Sequence, residues 1–356
     1  MAGHAVGPVV RAHSDTFAPL GPGPAVTREV RERRERATLA PGATLASGAG
    51  NRATPEAPDP YRTCFERDRD RVVHSTAFRR LAGKTQVVVY PTDHQRTRLT
   101  HALEVAQVAV AVARGTGANA TLAEAIALGH DCGHGPGGHA SEDAFDPYVE
   151  GGYDHGPWGA DTVLSSLNLC QETLDGIRNH SWSRPAPATP EGEIVSWADR
   201  IAYCAHDLED AIRAGILAAA DLPDAVTRVA GRTRRDQIRV FVQGLIETTV
   251  ATGQVGLDTP TADALAALRA FNYERIYTRP ESVAQAAAVI DVLRALVDHY
   301  IAHPEDLPDG LAEGPDLARA AVTYVGGMTD RFAFEQAERL VGWDLTRLPP
   351  GLGRLA

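Results

Sequence analysis

The chain has 356 residues, 44% of them hydrophobic, and a formal net charge of -11 at pH 7. This length and apolar content suit a folded protein with a large core, either one helical domain or about two smaller ones. The negative charge argues against a protein built mainly to bind nucleic acid, which would need a basic face. No apolar run reaches the roughly 18 residues of a membrane span, and no secretory h-region is present, so we expect a cytoplasmic protein.

The first 60 residues are rich in Gly, Pro and Ala. We expect them to form a flexible leader and arm, with a solvated Arg- and Glu-rich helix over residues 28–36. Order is expected to begin near Tyr61. Four cysteines with neither paired nor zinc-ribbon spacing are expected to be reduced thiols.

Beyond this region, apolar residues recur mostly at helical spacing. Helices are predicted over residues 68–81, 99–114, 121–128, 161–169, 172–180, 193–214, 232–250, 262–277, 282–303, 316–325 and 330–341. A short extended run is predicted at residues 87–90. No Gly-rich fingerprint follows a strand, which excludes dinucleotide-binding and Walker-type sites. The sequence therefore predicts an all-α fold.

The stretch GHDCGHGPGGHASED, residues 129–143, concentrates three histidines, three carboxylates and five glycines. Imidazole nitrogen and carboxylate oxygen together bind divalent metals that keep open positions for water and substrate. His130 and Asp131 follow the predicted end of a helix, where both side chains can turn toward one ion. A lone His-Asp pair is often a surface pair or a cap, but this density of ligands favours an active site.

Cationic residues precede this motif. Lys84 is the only lysine of the chain, and Arg96 and Arg98 come just before His101. Taken alone, His101 is an ordinary helix histidine. Cations so close to a candidate metal site indicate an anionic substrate such as a phosphate chain.

The predicted helix 193–214 carries a polar stripe beside its apolar face. The stripe consists of Asp199, Tyr203, His206, Asp207 and Asp210. Residues at these intervals share one side of a helix, which is either solvated or lines a pocket. Asp199 is the natural further carboxylate ligand for the metal.

Taken together, His101, His130-Asp131 and Asp199 resemble the H…HD…D pattern of the HD superfamily of metal-dependent phosphohydrolases. Longer segments are similar to signatures of the deoxyguanosine triphosphate triphosphohydrolase (dNTP triphosphohydrolase) family. They are RDRDR at 67–71, FRRL at 78–81, KTQV at 84–87, RTRLTHALEV at 96–105 and GGMTDRF at 326–332. One departure is Gly137, which stands where the family usually has Phe in Pro-Phe-Gly-His, so that an aromatic ring is missing beside His139.

This resemblance implies a single HD-type helical phosphohydrolase domain over residues 61–356, with its core at about 96–215 and a C-terminal helical extension. Family members assemble as homo-oligomers and hydrolyse a deoxynucleoside triphosphate to deoxynucleoside and tripolyphosphate. They use a divalent metal ion, here Mn, Mg, Co, Fe, Ni or Zn. By motif position, the ligands are His101, His130, Asp131 and Asp199.

The resemblance also implies the catalytic residues. His139 with Glu142 matches the family's catalytic His-carboxylate pair, and His155 matches a histidine near the phosphates. An imidazole tied to a carboxylate can supply the proton of the leaving 5'-oxygen.

Five residues are predicted to contact the substrate: Lys84, Gln86, Arg98, Tyr203 and Asp207. Lys84 and Arg98 would bind the phosphate chain. Gln86 and Asp207 would bind the sugar, and Tyr203 would pack where a 2'-hydroxyl would clash.

Two alternatives stay open. Another HD-type nucleotide phosphohydrolase, a monophosphatase or phosphodiesterase, would share the metal site without needing the cationic cluster. A dNTP-binding sensor with little turnover would share the pocket.

Overall fold

The computed structural model describes residues 3–15, 20–87 and 96–347, and the predicted all-α class is confirmed. Two short exposed strands, β1 (His4–Val6) and β2 (Val9–Arg11), pair antiparallel within the predicted leader. The predicted extended run continues into residues 88–90, which lie outside the described ranges. Among the described residues, no helix combines the length and the hydropathy needed to cross a bilayer.

Nine α-helices precede residue 215 in the described ranges. They are α1 (Arg28–Thr38), α2 (Cys64–His74), α3 (Thr76–Arg80), α4 (Arg98–Thr116), α5 (Ala120–Gly129), α6 (Ala140–Phe145), α7 (His155–Trp158), α8 (Gln171–Asn179) and α9 (Pro190–Arg213). The predicted helix 68–81 is in fact two helices, because Ser75 is extended and its hydroxyl caps α3 by accepting from Phe78 N. The cap of α5 is Asn119, two residues before the predicted capping box.

Six α-helices follow in the described part of the chain. They are α10 (Asp224–Ala230), α11 (Arg234–Thr252), α12 (Thr259–Asn272), α13 (Pro280–Ala302), α14 (Leu317–Gly326) and α15 (Asp330–Val341). The predicted helix 161–169 is wrong: a π turn at Gly159–Val163 and a 3-10 turn at Ser165–Leu167 take its place. Asn168 has a φ of 49°, a left-handed conformation that ends the second turn.

The helices build two hydrophobic clusters. The first contains buried residues of α2, α4, α5, α8, α9, α11 and α12, such as Val105, Ile126 and Ile201. The second contains Phe145 of α6 together with residues of α13, α14 and α15, such as Leu293. Burying each such side chain contributes about 1.5–3 kcal/mol. Since α5 belongs to the first cluster and α6 to the second, the Gly-rich turn between them lies where the two clusters meet.

The arm before α2 is tied to the helices by a buried ion pair. Arg52 NH1 lies 2.6 Å from Asp68 Oδ1, and both side chains are almost fully buried. The other oxygen of Asp68 accepts from Cys170 N at 2.8 Å and from the Thr173 hydroxyl at 2.7 Å. Residues near position 52 are thus part of the packed structure, and the division of the chain at residue 60 stays a prediction.

We expect Arg52→Ala to destabilise the fold by about 3–5 kcal/mol, because it leaves the carboxylate of Asp68 buried without its cation. Urea unfolding followed by circular dichroism measures the change. The control is Arg62→Ala, since the Arg62 side chain is 49% exposed in its ion pair with Asp59, and exposed pairs contribute about 0–1 kcal/mol. Equal effects of the two substitutions would contradict a structural role for the arm.

Candidate metal centre

The end of α5 leaves an unpaired imidazole nitrogen in the interior. His130 is the first residue after α5, and its Nδ1 lies 2.6 Å from the carbonyl oxygen of Ala127. Because a carbonyl only accepts, Nδ1 carries the hydrogen and Nε2 presents a lone pair. That Nε2 is buried and has no hydrogen-bond partner among the described residues. Burying an unpaired polar atom is costly, so this nitrogen fits a metal ligand.

The other three predicted ligands surround this nitrogen. His130 Nε2 lies 3.4 Å from Asp131 Oδ1 and 3.7 Å from Asp199 Oδ1 of α9. His101 Nε2 of α4 lies 3.0 Å from Asp199 Oδ1 and 4.0 Å from Asp131 Oδ2. Ligand atoms about 2.1 Å from one ion are about 3.0 Å apart when adjacent and about 4.2 Å apart when opposite. The ligand atoms of His101, His130 and Asp131 lie within 4.8 Å of one another, which suits one divalent ion, and Asp199 Oδ1 adjoins two of them.

The charges of the site favour ionised carboxylates. Burial alone would raise the pKa of Asp131, but His130 and Arg98 hold it well below its usual range. Burial would likewise raise the pKa of Asp199, but the hydrogen bond with His101 and the neighbouring imidazole of His130 lower it instead. Metal ligands must be deprotonated to bind, so both carboxylates are in the binding form at neutral pH.

One carboxylate holds two histidines beside the cluster. His139 Nδ1 lies 3.2 Å from Glu142 Oε2, and the other oxygen, Oε1, contacts His155 Nδ1. Burial would raise the pKa of Glu142, but these two hydrogen bonds lower it. The His139 side chain is 73% exposed, whereas His155 is buried. The predicted pair thus lies at the exposed side of the cluster, and its catalytic role stays a prediction.

A glycine lets α7 approach the metal motif. A Cβ on Gly133 would lie 2.0 Å from the carbonyl oxygen of His155 and 2.6 Å from Gly159 N. Real Cβ atoms do not approach backbone so closely, so a glycine is required. The hydroxyl of Tyr153 also donates to the carbonyl of Gly133 at 2.6 Å. These contacts hold His155 beside Asp131.

Two further histidines lie in this cluster, and neither is among the predicted site residues. The ring of His134 stacks on His155 with centroids 3.8 Å apart, and its Nε2 lies 3.3 Å from Asp131 Oδ1. His180, which follows α8, places its Nε2 3.0 Å from His155 Nε2. The spacing of three residues from Asp131 could have revealed His134. No local signal marks His180, because only the packing of α8 brings it here.

Arg98 and Gln86 each have side-chain polar atoms without a hydrogen-bond partner among the described residues. Arg98 is buried, and its NH1 donates to Asp131 Oδ2 at 2.8 Å. Its Nε and NH2 have no partner among the described residues, and neither does the buried Oε1 of half-buried Gln86. Free guanidinium donors beside a metal site suit a phosphate oxygen.

Lys84 instead links the metal motif to the C-terminal helices. Its ammonium group donates to the carbonyl oxygens of His134 and Gly326, the latter at 2.8 Å, and burial lowers its pKa to about 8. Close by, Asp330 of α15 accepts from Gly137 N at 2.9 Å, and its other oxygen accepts from the backbone N–H after Lys84. These contacts brace the Gly-rich turn, and a phosphate contact of Lys84 stays an untested prediction.

Two side chains of the polar stripe of α9, those of Tyr203 and Asp207, form hydrogen bonds with other parts of the protein. Asp207 accepts from Arg96 NH2 at 2.5 Å through one oxygen and from the Tyr277 hydroxyl through the other. Tyr203 is half-buried, and its hydroxyl accepts from Arg269 Nε at 3.1 Å. The predicted sugar contacts of both residues stay untested, and that of Asp207 would require its present bonds to rearrange.

This arrangement is that of an HD-domain protein: residues 98–204 match the HD domain, and residues 255–339 match the phosphohydrolase-associated domain. A deoxyguanosinetriphosphate triphosphohydrolase-like protein of Caldanaerobacter subterraneus is 38% identical over 86% of this chain and 93% of its own. One from Clostridium perfringens is 36% identical over 88% and 97%. The solved structure of a hypothetical protein from Aquifex aeolicus covers 77% of this chain and 71% of its own, with 19% identity and a TM-score of 0.46.

The chain therefore belongs to the deoxyguanosinetriphosphate triphosphohydrolase-like family of HD-domain proteins. This confirms the family resemblance found in the sequence motifs and the HD-type helical fold. HD domains bind divalent metal ions, and His/Asp clusters suited to one are present among the described residues.

Proposed function

We propose that the protein is a metal-dependent dNTP triphosphohydrolase, which converts a deoxynucleoside triphosphate to deoxynucleoside and tripolyphosphate. The observation that carries this proposal is the cluster of His101, Asp131 and Asp199 around the orphan Nε2 of His130, beside the Glu142-linked histidines. The name shared by the curated relatives supports the same substrate class. A cytoplasmic location and assembly as a homo-oligomer stay predictions.

Different residues have different roles in the proposed reaction. A divalent ion, when bound by His101, His130, Asp131 and Asp199, would polarise a phosphoryl oxygen and lower the pKa of a water. Arg98 offers its free donors to the phosphate chain. His139, oriented by Glu142, holds the proton that the 5'-oxygen of the nucleoside takes as it leaves.

The first test is an assay of the purified protein with each dNTP, and with dGMP, in the presence of Mn²⁺, Mg²⁺ or Co²⁺. We expect metal-dependent release of deoxynucleoside from one or more dNTPs and none from dGMP. Turnover of dGMP alone would instead identify a monophosphatase. Tight dNTP binding without turnover would identify a sensor.

Substitution of Arg98 tests the contact with the phosphate chain. We expect Arg98→Ala to weaken dNTP binding by about 10- to 100-fold, the equivalent of lost charged hydrogen bonds, and to leave deoxynucleoside binding nearly unchanged. Calorimetric titration measures both affinities, with metal content recorded because Arg98 also contacts Asp131. Exposed Arg79 provides the control substitution. Equal losses for dNTP and deoxynucleoside would refute the phosphate contact.

A further inference from the structure

The segment 326–332, GGMTDRF, is far from the metal motif in sequence but contacts the turn before His139. Asp330 is buried at the first position of α15, and its Oδ1 accepts from Gly137 N at 2.9 Å. Its Oδ2 accepts from Thr85 N, also at 2.9 Å. One carboxylate of the C-terminal helices therefore joins the Gly-rich turn to the segment that precedes α4.

The turn before His139 depends on such contacts because its backbone is intrinsically flexible. Gly137 and Gly138 are consecutive, and both are left-handed, with φ values of 72° and 66°. Glycine loses more conformational freedom on folding than any other residue, so a turn of this kind is held in one conformation by its hydrogen bonds. Gly138 N lies 3.3 Å from the carbonyl oxygen of Gly135 within the turn. The shorter bond from Gly137 N to Asp330 fixes the middle of the turn.

The second contact of Asp330 fixes the backbone beside Arg98. Arg98 N donates to the carbonyl oxygen of Lys84 at 3.0 Å, directly before Thr85. A Cβ on Gly138 would collide with Arg98 NH2 and would lie 3.2 Å from the carbonyl oxygen of Thr85. The turn, the backbone of Thr85 and the guanidinium group of Arg98 thus pack against one another. The two bonds of Asp330 set how they fit together.

We propose that Asp330 is a positioning residue for the proton donor, because it holds the turn that places His139 beside Arg98. This inference rests on the proposed function, in which His139 supplies the proton of the leaving 5'-oxygen. Asp330 acts through the backbone of Gly137 and not by contact with the substrate. Reacting groups must be held within about 0.5 Å of their productive geometry, and a misplacement of about 1 Å can lower the rate by about 100-fold.

The test replaces the carboxylate of Asp330 by a group that cannot accept both bonds. Asparagine has a similar shape, but its NH2 group does not accept, so Asp330→Asn loses one of the two backbone contacts. We expect kcat for dNTP hydrolysis with Mn²⁺ to fall by about 10- to 100-fold. Metal content and KM should stay close to those of the wild type. A wild-type kcat in folded Asp330→Asn would overturn the inference.

A double-mutant cycle separates an effect on His139 from a general loss of structure. Rate losses from independent sites multiply to within about twofold. If Asp330 acts through His139, Asp330→Asn should have almost no effect on the rate of the His139→Ala chain. Losses that multiply in the double variant would show that Asp330 acts elsewhere, and the inference would fail.

The matched control is Glu191→Gln. Glu191 is also a buried carboxylate that accepts from backbone N–H groups of two separate segments, that of Thr44 at 3.1 Å and that of Asn119 at 2.8 Å. This variant is expected to lose stability but to keep the wild-type kcat per folded chain. An equal loss of kcat in Glu191→Gln would mean that any lost buried contact slows the reaction, which contradicts a specific role of Asp330.

Hydrogen exchange followed by mass spectrometry tests the contact without substrate. We expect the peptide that contains Gly137 to exchange faster in Asp330→Asn than in the wild type, and unchanged exchange there would refute the inference. If Asp330→Asn does not fold, Asp330→Ser takes its place, because a hydroxyl removes the carboxylate without bringing an NH2 group against a backbone N–H. Faster exchange in a protein whose wild type releases no tripolyphosphate would contradict the proposed function and leave the contact of Asp330 with the turn standing.

Discussion

Replacing His130 by alanine is expected to remove the ion of the His101–Asp199 site and to lower dNTP turnover by more than about 100-fold. The loss of a residue that merely orients a ligand already costs about 10- to 100-fold, and His130 Nε2 is the buried unpaired atom at the centre of the cluster. Metal content per chain and initial rates measure the two effects. His206→Ala, a buried histidine of α9 outside the proposed ligand sets, serves as control. A His130→Ala chain with its full metal content would refute the assignment.

His139→Ala should separate chemistry from metal binding. We expect it to keep the metal content of the wild type and to lose about 10² to 10⁴-fold in rate, the usual contribution of a general acid. The loss should appear in kcat more than in KM, because the exposed His139 acts on the leaving oxygen.

The control for His139 is His303→Ala. His303 is also exposed, and its Nδ1 lies 3.3 Å from Glu305 in a similar surface pair away from the metal motif. Its substitution should leave the rate unchanged. Near wild-type turnover of His139→Ala at neutral pH would remove His139 from the mechanism.

Much of the site was predictable because its signals are local. The segment 129–143 contains the predicted metal ligands His130 and Asp131 directly after the predicted end of a helix, and α5 does end at Gly129. His101 and Asp199 lie on long helices with clear apolar stripes, so the helices were predicted well from periodicity. Their use as ligands came from the family resemblance, and the observed spacing of these residues is compatible with it.

What escaped prediction depends on tertiary packing. His180 joins the cluster because α8 packs against α5, where Gly129 leaves room for Ile177. The helix predicted over 161–169 fails because the chain must turn there through Asn168. Lys84 is predicted to bind phosphate, and the sequence gives no sign that its ammonium group is buried and bonded to two carbonyl oxygens. Hydrophobic periodicity predicts which face of a helix is apolar, but it does not predict which other element packs against that face.

The Gly137 departure also has a structural explanation. Gly137 has a φ of 72°, and a Cβ there would lie 2.5 Å from Val289 Cγ1 of α13. A left-handed backbone and this close contact both disfavour a larger side chain. The turn before His139 is thus packed against α13 without an aromatic ring.

The most direct test of the proposed reaction is the identity of the products. Purified protein is incubated with dGTP, and in parallel with GTP, in water enriched in heavy oxygen, and the products are separated and followed by ³¹P detection. Attack of water on the α-phosphorus predicts deoxyguanosine and intact tripolyphosphate, with the label in tripolyphosphate. GTP should react more slowly if Tyr203 crowds the 2' position. Label in the nucleoside, or a nucleoside monophosphate with pyrophosphate as first products, would contradict the triphosphohydrolase assignment.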